Sequence, residues 1–324
     1  MEQLLKRLPP ALRVRDFRLF WLGAVVSATG SQFTTVAMAW QIYELTNSPL
    51  QIGLLGLSRA IAQIVLFLVG GLLADAIDRR RLMMILQVYQ ALVCAGLAVL
   101  TLTGSVTPGA LYLAAVLLAF GTALESPPRQ AIVPNLVPNE YLTSAVALNS
   151  VQRGVAMIVG PSIAGVVLAL AGAAWCYSIN ALLWMVMFVV LMLIRLRPGV
   201  ARRVAGVSLK ALSDGLRFVL KQRIILIFMI LDFGATLFGS ASALYPIFAR
   251  DILKVGQSGL GLLYAAPAVG ALAMALVMSV RSEVRKTGRW VLLGVAFYAI
   301  CTIGFAFSRT AWLSLLLLAG TGAG

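Results

Sequence analysis

Gly71-Leu72-Leu73-Ala74-Asp75-Ala76-Ile77-Asp78-Arg79-Arg80-Arg81 is the stretch on which the reading of this chain turns. A glycine, two acids and a run of three arginines lie close together, and the sequence on either side is almost wholly apolar: Leu50–Leu73 before, Leu82–Leu102 after. A helix needs about 20 apolar residues to cross the roughly 30 Å of a bilayer's hydrocarbon. Both flanks meet that length, so the polar stretch is a tight connection between two membrane-spanning helices.

The composition extends this reading to the whole chain. Of 324 residues, 61% are hydrophobic, a further 29 are glycine and only 11% are charged, against about 25% charged in soluble domains. A water-soluble fold of this length cannot hide that much apolar surface, and low hydrophobicity with high charge, the mark of disorder, is absent. Ten apolar segments follow one another: Leu19–Tyr43, Leu50–Leu73, Leu82–Leu102, Thr107–Leu124, Leu142–Leu170, Trp175–Ile194, Ile224–Ala249, Ser258–Val280, Trp290–Phe307 and Ala311–Gly324. None alternates apolar with polar residues as a barrel strand does. The fold class is therefore an all-α membrane protein, a helical bundle. Its tenth span, at about 1.5 Å per residue, is too short to cross and counts as incomplete.

Sidedness comes from the basic residues. Twenty-one Lys and Arg fall on one side: in the N-terminus, at Arg79, Arg80 and Arg81, at Arg129, through 195–223, and in the loop after the eighth span. Only Arg250, Lys254 and Arg309 fall on the other. Lys and Arg collect on cytoplasmic loops, which places the N-terminus in the cytoplasm of a multi-pass protein of the cytoplasmic membrane. The net charge of +15 is thus a matter of topology and not of nucleic-acid binding, which needs a basic face on a soluble module. The chain divides into an N-terminal six-helix bundle (1–194), a basic linker carrying an amphipathic helix at Ser208–Lys221 (195–223), and a partial C-terminal bundle (224–324). An offset of 208 residues lays Ile52-Gly53-Leu54-Leu55 on Leu260-Gly261-Leu262-Leu263, Asp75 on Glu283 and Arg81 on Arg289. A parallel duplication of this kind is a feature of transporter folds.

The chain holds no histidine, and its three cysteines, Cys94, Cys176 and Cys301, lie in apolar segments. Histidine-based metal sites and catalytic triads are excluded, a disulfide framework is disfavoured, and no G-x-x-x-x-G-K-[ST] loop offers a nucleotide site. No metal or cofactor is expected. Arg59, Arg153 and Asp232 stand well inside spans, where a charge costs at least about 2.5–3.5 kcal/mol. The arginines suit an anionic substrate in a cavity, because guanidinium presents planar donors to carboxylate or catecholate oxygens. Pairing with Asp232 accounts for them equally well, and Asp232 also suits a proton carrier. Glu44 and Glu125 fall at helix ends, where headgroup solvation explains them. By themselves these features show a duplicated helical bundle, which suits a secondary transporter. A membrane subunit or channel-like protein without proton coupling, and an intramembrane enzyme, are the alternatives.

Gly71, Leu73, Ala74, Asp75, Arg79 and Arg80 resemble the loop 2–3 signature of the major facilitator superfamily, with Ala76 and Asp78 departing from its usual basic residue and glycine. Gly160-Pro161-Ser162-Ile163-Ala164-Gly165 is similar to the superfamily's helix-five motif of exporters, with Ala164 in place of a glycine. Arg15–Trp21, Pro128–Pro134, Leu231–Phe233 and Tyr245–Leu253 extend the likeness to a branch of enterobactin-exporter-like and macrolide-efflux-like proteins. The resemblance implies twelve helices in two bundles that rock about a central site, a monomer when full length, and export of a siderophore-like or drug-like molecule in exchange for protons. It also implies that Gly71, Asp75 and Arg79 to Arg81 form a conformational gating loop, that Gly160, Pro161 and Gly165 kink helix five, and that the chain is truncated at its C-terminal end.

Overall fold

The computed structural model describes residues 9–73, 78–194, 221–222, 226–227, 229–230, 241–279 and 287–324, with backbone alone for 65–73, 241, 279 and 287. Among these residues the protein is helical and holds no strand. In hydrocarbon every backbone N–H and C=O must be satisfied within the protein, which leaves the helix as the solution for a single span.

The helices are α1 (Arg15–Thr46), α2 (Pro49–Leu73), α3 (Arg79–Leu102), α4 (Pro108–Leu136), α5 (Leu142–Ala171) and α6 (Ala173–Leu193), then α7 (Tyr245–Ile247, running on into a π-helical turn Phe248–Ile252), α8 (Gly256–Ser279), α9 (Thr287–Phe307) and α10 (Ala311–Ala323). Six of the described helices are long and apolar enough to cross a membrane. Their ends follow local chemistry. Asn47 stops α1 in the left-handed conformation (φ 50°), its N–H on the Tyr43 carbonyl. Asp78 caps α3 by accepting from the Arg81 N–H at 2.9 Å. Thr107 caps α4 ahead of Pro108. Caps of this kind satisfy donors that a helix end leaves open.

One boundary differs from the sequence reading. The fourth span, expected to end at Leu124, continues to Leu136 through Pro127, Pro128 and Pro134. Prolines break soluble helices. In an apolar interior, unwinding the segment would strand more backbone groups than the prolines do, so the helix persists. Glu125 and Arg129 are therefore inside α4 and not in a loop after it.

In the first half α1 packs against α5 and α6, α3 against α4 and α6, and α2 against α4; in the second, α8 and α9 both pack on α10. The halves meet chiefly along α5 and α8. There the backbones approach so closely that a Cβ built on Gly165 would lie 2.9 Å from the Gly261 Cα, and one on Gly261 would strike the Pro161 carbonyl. Small residues permit this spacing, and packing is what drives helices together in lipid. Gly261→Leu is expected to destabilise the purified protein by about 1–3 kcal/mol through overpacking. Gly53→Ala, where a Cβ meets open space, should leave the thermal midpoint level or raise it, since Ala is the better helix former.

Candidate functional site

The two halves are joined at one end of the bundle. A continuous apolar cluster runs from Val36, Tyr43, Ile52, Leu55 and Leu168 of the first half to Tyr245, Phe248, Leu260 and Leu263 of the second. Phe248 stacks on Phe305 at 4.3 Å, with Tyr245 edge-on to the same ring at 5.8 Å. At the rim of this end the Tyr43 hydroxyl donates to Asp251 Oδ2, and the Arg250 guanidinium lies 5.4 Å over the Tyr43 ring. Tyr43 and Asp251 are themselves 208 residues apart, the offset of the sequence repeat. Equivalent positions of a two-fold repeat touch only near its axis, so this contact marks where the halves face each other.

The opposite end is different. Its cluster draws Phe17, Phe20, Met83, Ile132, Leu136, Leu148, Met187 and Leu191 from the first half, and among the described residues nothing beyond Ile194. Arg80, expected in a gating loop, donates from Nε to the Leu191 carbonyl at 2.6 Å and from Nη2 to the Met192 carbonyl at 2.8 Å. It thereby fastens the C-terminus of α6, whose last carbonyls lack helix partners. Arg79 reaches the Ala131 carbonyl of α4 at 3.4 Å. Asp78, at the position where the superfamily signature has glycine, supplies the α3 cap. Gly71 lies in the last turn of α2, and Asp75 lies outside the described residues, as does Asp232.

Arg59 lines a cavity of about 30 Å³ together with Ser31, Thr34 and Thr35 of α1, Gln90 of α3, Thr122 of α4 and Asn180 of α6. That volume takes water or one polar group, not a whole organic molecule. Among the described residues Arg59 has no ion-pair partner. Asn180 donates to Thr34 Oγ1 at 2.7 Å and to Cys94 Sγ at 3.4 Å, which leaves its Oδ1 without a partner among them. Arg153 does not share this cavity: it is exposed on α5, while its neighbour Gln152 turns inward to the Ala24 carbonyl. Gly160 and Gly165 sit back to back on α5, the first against Thr29 and Gln32 of α1, the second against α8, with Pro161 buried between the two contacts.

The polar cluster that sequence reasoning missed is centred on Glu125. Only 4% of it is exposed, so headgroup solvation does not explain it. Its Oε1 accepts from Gln87 Nε2 at 3.0 Å and from Arg129 Nη2 at 2.9 Å, and its Oε2 accepts from Gln90 Nε2 at 2.9 Å. Arg129 also donates to Ser27 Oγ of α1 at 3.1 Å. The signal was present in the spacing of Gln87 and Gln90, which shares one helical face, and of Glu125 and Arg129, one turn apart.

Comparison with known families shows what this helical bundle is similar to. Residues 8–324 match the model of the transmembrane secretion effectors. The chain belongs to that family of the major facilitator superfamily. Among its relatives are the enterobactin exporters EntS of Escherichia coli and of Shigella boydii, each 29% identical over 291 residues, which is 89% of this chain and 69% of theirs. A bacterial homologue of the iron transporter ferroportin, solved in an inward-facing state, superposes with a TM-score of 0.67 at 18% identity, covering 95% of this chain and 80% of that one. A bacterial homologue of the lysosomal transporter Spinster, also inward-facing, gives 0.70 at 15% identity, over 95% and 72%. The protein is thus a multi-pass membrane transporter of the major facilitator type, acting on a small molecule and not an enzyme.

The rim contact lends itself to a double-mutant cycle. Tyr43→Phe and Asp251→Asn are each expected to lower the thermal midpoint of the purified protein, and the double variant to lose less than the two losses added. A coupling of about 1 kcal/mol is expected for one hydrogen bond to a charged, partly solvated acceptor. Simple additivity would mean that the two side chains do not hold the end shut.

Proposed function

We propose that this transporter exports a small organic molecule across the cytoplasmic membrane in exchange for protons, by alternating access. The observation that carries the reading is the asymmetry of the two ends. The halves share a core and a hydrogen bond at the Tyr43–Asp251 end, while the other end's cluster is confined to the first half among the described residues. A bundle closed at one end and parted at the other is one state of a two-state rocker. The basic side of the chain lies at the parted end, which the positive-inside bias assigns to the cytoplasm. Likeness to enterobactin exporters over most of the chain supports the outward direction.

In this reading the substrate enters from the parted end, and Arg59 offers its guanidinium to an anionic or catecholate oxygen of it. Arg153, exposed on α5, is the lesser candidate for that role. Asp75 acts with Arg79 and Arg80 at the cytoplasmic end. The arginines tie α3 to α4 and α6 there, so that the first half moves as one body. Gly165 and Gly261 give the two halves a close, smooth contact about which to pivot. As a monomer, the transporter needs no partner chain for this motion.

Accumulation of a panel of dyes, drugs and catecholate siderophores, in cells with and without the protein, identifies the substrate. Export should collapse when a protonophore is added with ATP maintained; export that persists would contradict proton exchange. Arg59→Leu should lower the rate for an anionic substrate about tenfold or more, the worth of one charge-assisted hydrogen bond of roughly 1.5–3 kcal/mol. Arg59→Lys should retain part of it.

A further inference from the structure

The Glu125 cluster joins α1, α3 and α4, but joining helices does not by itself require a buried charge. Replacing a buried ion pair by packed hydrophobic side chains is often neutral or stabilising, so a carboxylate kept 4% exposed inside a membrane helix calls for another account. Its surroundings supply one. Gln87 and Gln90 both turn their amide nitrogens to the carboxylate, and both leave Oε1 buried without a partner among the described residues. Those two oxygens are unused acceptors beside the one group in the cluster that can become a donor. Once protonated, Glu125 carries an O–H, and an amide turned end for end presents Oε1 to receive it. The shell therefore satisfies the acid in either protonation state without moving a helix.

Charged and titratable groups around it fit the same role. On α4 itself Arg129 pairs with the carboxylate, is 26% exposed along its side chain and lies one turn nearer the parted end. From α3 come only the two neutral amides, with Arg79 further along at the Ala131 carbonyl. From α1 comes the Ser27 hydroxyl, which accepts from Arg129, and from α2 Arg59, across the cavity that Gln90 also lines; Arg153 of α5 is exposed and does not line that cavity.

Resting on the reading of the protein as an exporter, we propose that Glu125 is the proton-exchanging carboxylate of the cycle, with Gln90 linking its protonation state to the Arg59 cavity. A proton from water at the exposed edge of Arg129 bonds to one Glu125 oxygen, and the ion pair to Arg129 gives way to an O–H donated to a glutamine Oε1. Release breaks that same O–H bond, returns the proton to water and restores the pair. No other reactant is needed. In the protonated state Gln90 turns its nitrogen towards the cavity, where it can donate to a substrate oxygen beside Arg59.

Infrared difference spectra of the purified protein at rest, between alkaline and acidic pH, test this without any substrate. The expected result is a carbonyl-stretch band of a water-shielded carboxylic acid that forms on acidification, is lost in Glu125→Gln, and survives in Asp232→Asn. Glu125→Asp should keep a band at an altered frequency. Gln87→Leu and Gln90→Leu remove one hydrogen bond each and should displace its midpoint by about one pH unit; they decide the matter should Glu125→Gln fail to fold. A band that survives Glu125→Gln, or that only Asp232→Asn removes, would overturn the proposal, as would a midpoint indifferent to both glutamines. Loss of export by itself bears on the function and not on this site, because the spectra are read without transport.

Discussion

Hydrocarbon offers a polar group no partner, and that scarcity organises this molecule. It forces the backbone into helices, makes close packing of small residues the means by which those helices associate, and leaves each buried polar side chain to find its company inside the protein. The Glu125 carboxylate shows the constraint at its most severe. Removed from water, an ionised carboxyl carries a penalty of several kcal/mol that only good geometry offsets. Two amides of α3 and the Arg129 guanidinium of α4 are arranged to meet it, and the Ser27 hydroxyl of α1 in turn accepts from that guanidinium. Fixing those groups fixes α1, α3 and α4 relative to one another.

The same constraint shapes the contacts within and between the halves. Within the first half the contacts are polar and specific. Asn180 to Thr34, Tyr177 to Gln41 at 2.8 Å, Arg80 to the end of α6 and Arg79 to α4 each tie one helix to another. Between the halves the described contacts are mostly apolar surfaces and bare glycine backbone, with the Tyr43–Asp251 bond at the rim. Apolar faces slide and re-form with little directional cost, whereas a hydrogen-bond network must be broken group by group. The first half is thus held by directional bonds, and its described contact with the second half is largely non-directional.

Much of the fold was legible in the sequence because span length and charge sidedness are set by the bilayer and not by tertiary detail. Nine described helices, α1 to α6 and α8 to α10, lie where the apolar segments put them. Ile52 and Leu55 are buried in the same cluster as Leu260 and Leu263, the residues 208 positions further on. The site was less legible. A helix apolar on all sides carries no readable face, so the sequence could not tell that Gln152 is buried against α1 and Arg153 exposed. The prolines after Leu124 concealed the rest of α4, and with it the fact that Glu125 is interior. The meeting of Gln90 with Glu125, or the placing of Arg59 and Asn180 on one cavity, is a property of packing between distant segments that no local pattern encodes.

The central claim is that the two ends open and close in opposition. Paired spin labels at Glu44 and Ser258, which flank the joined end, and at Thr143 and Arg289, at the other, report both separations by pulsed electron resonance on exposed positions of described helices. The account predicts two populations whose balance shifts with pH, the first separation lengthening as the second shortens. Two separations that stay single and unchanged, or that lengthen together, would contradict it.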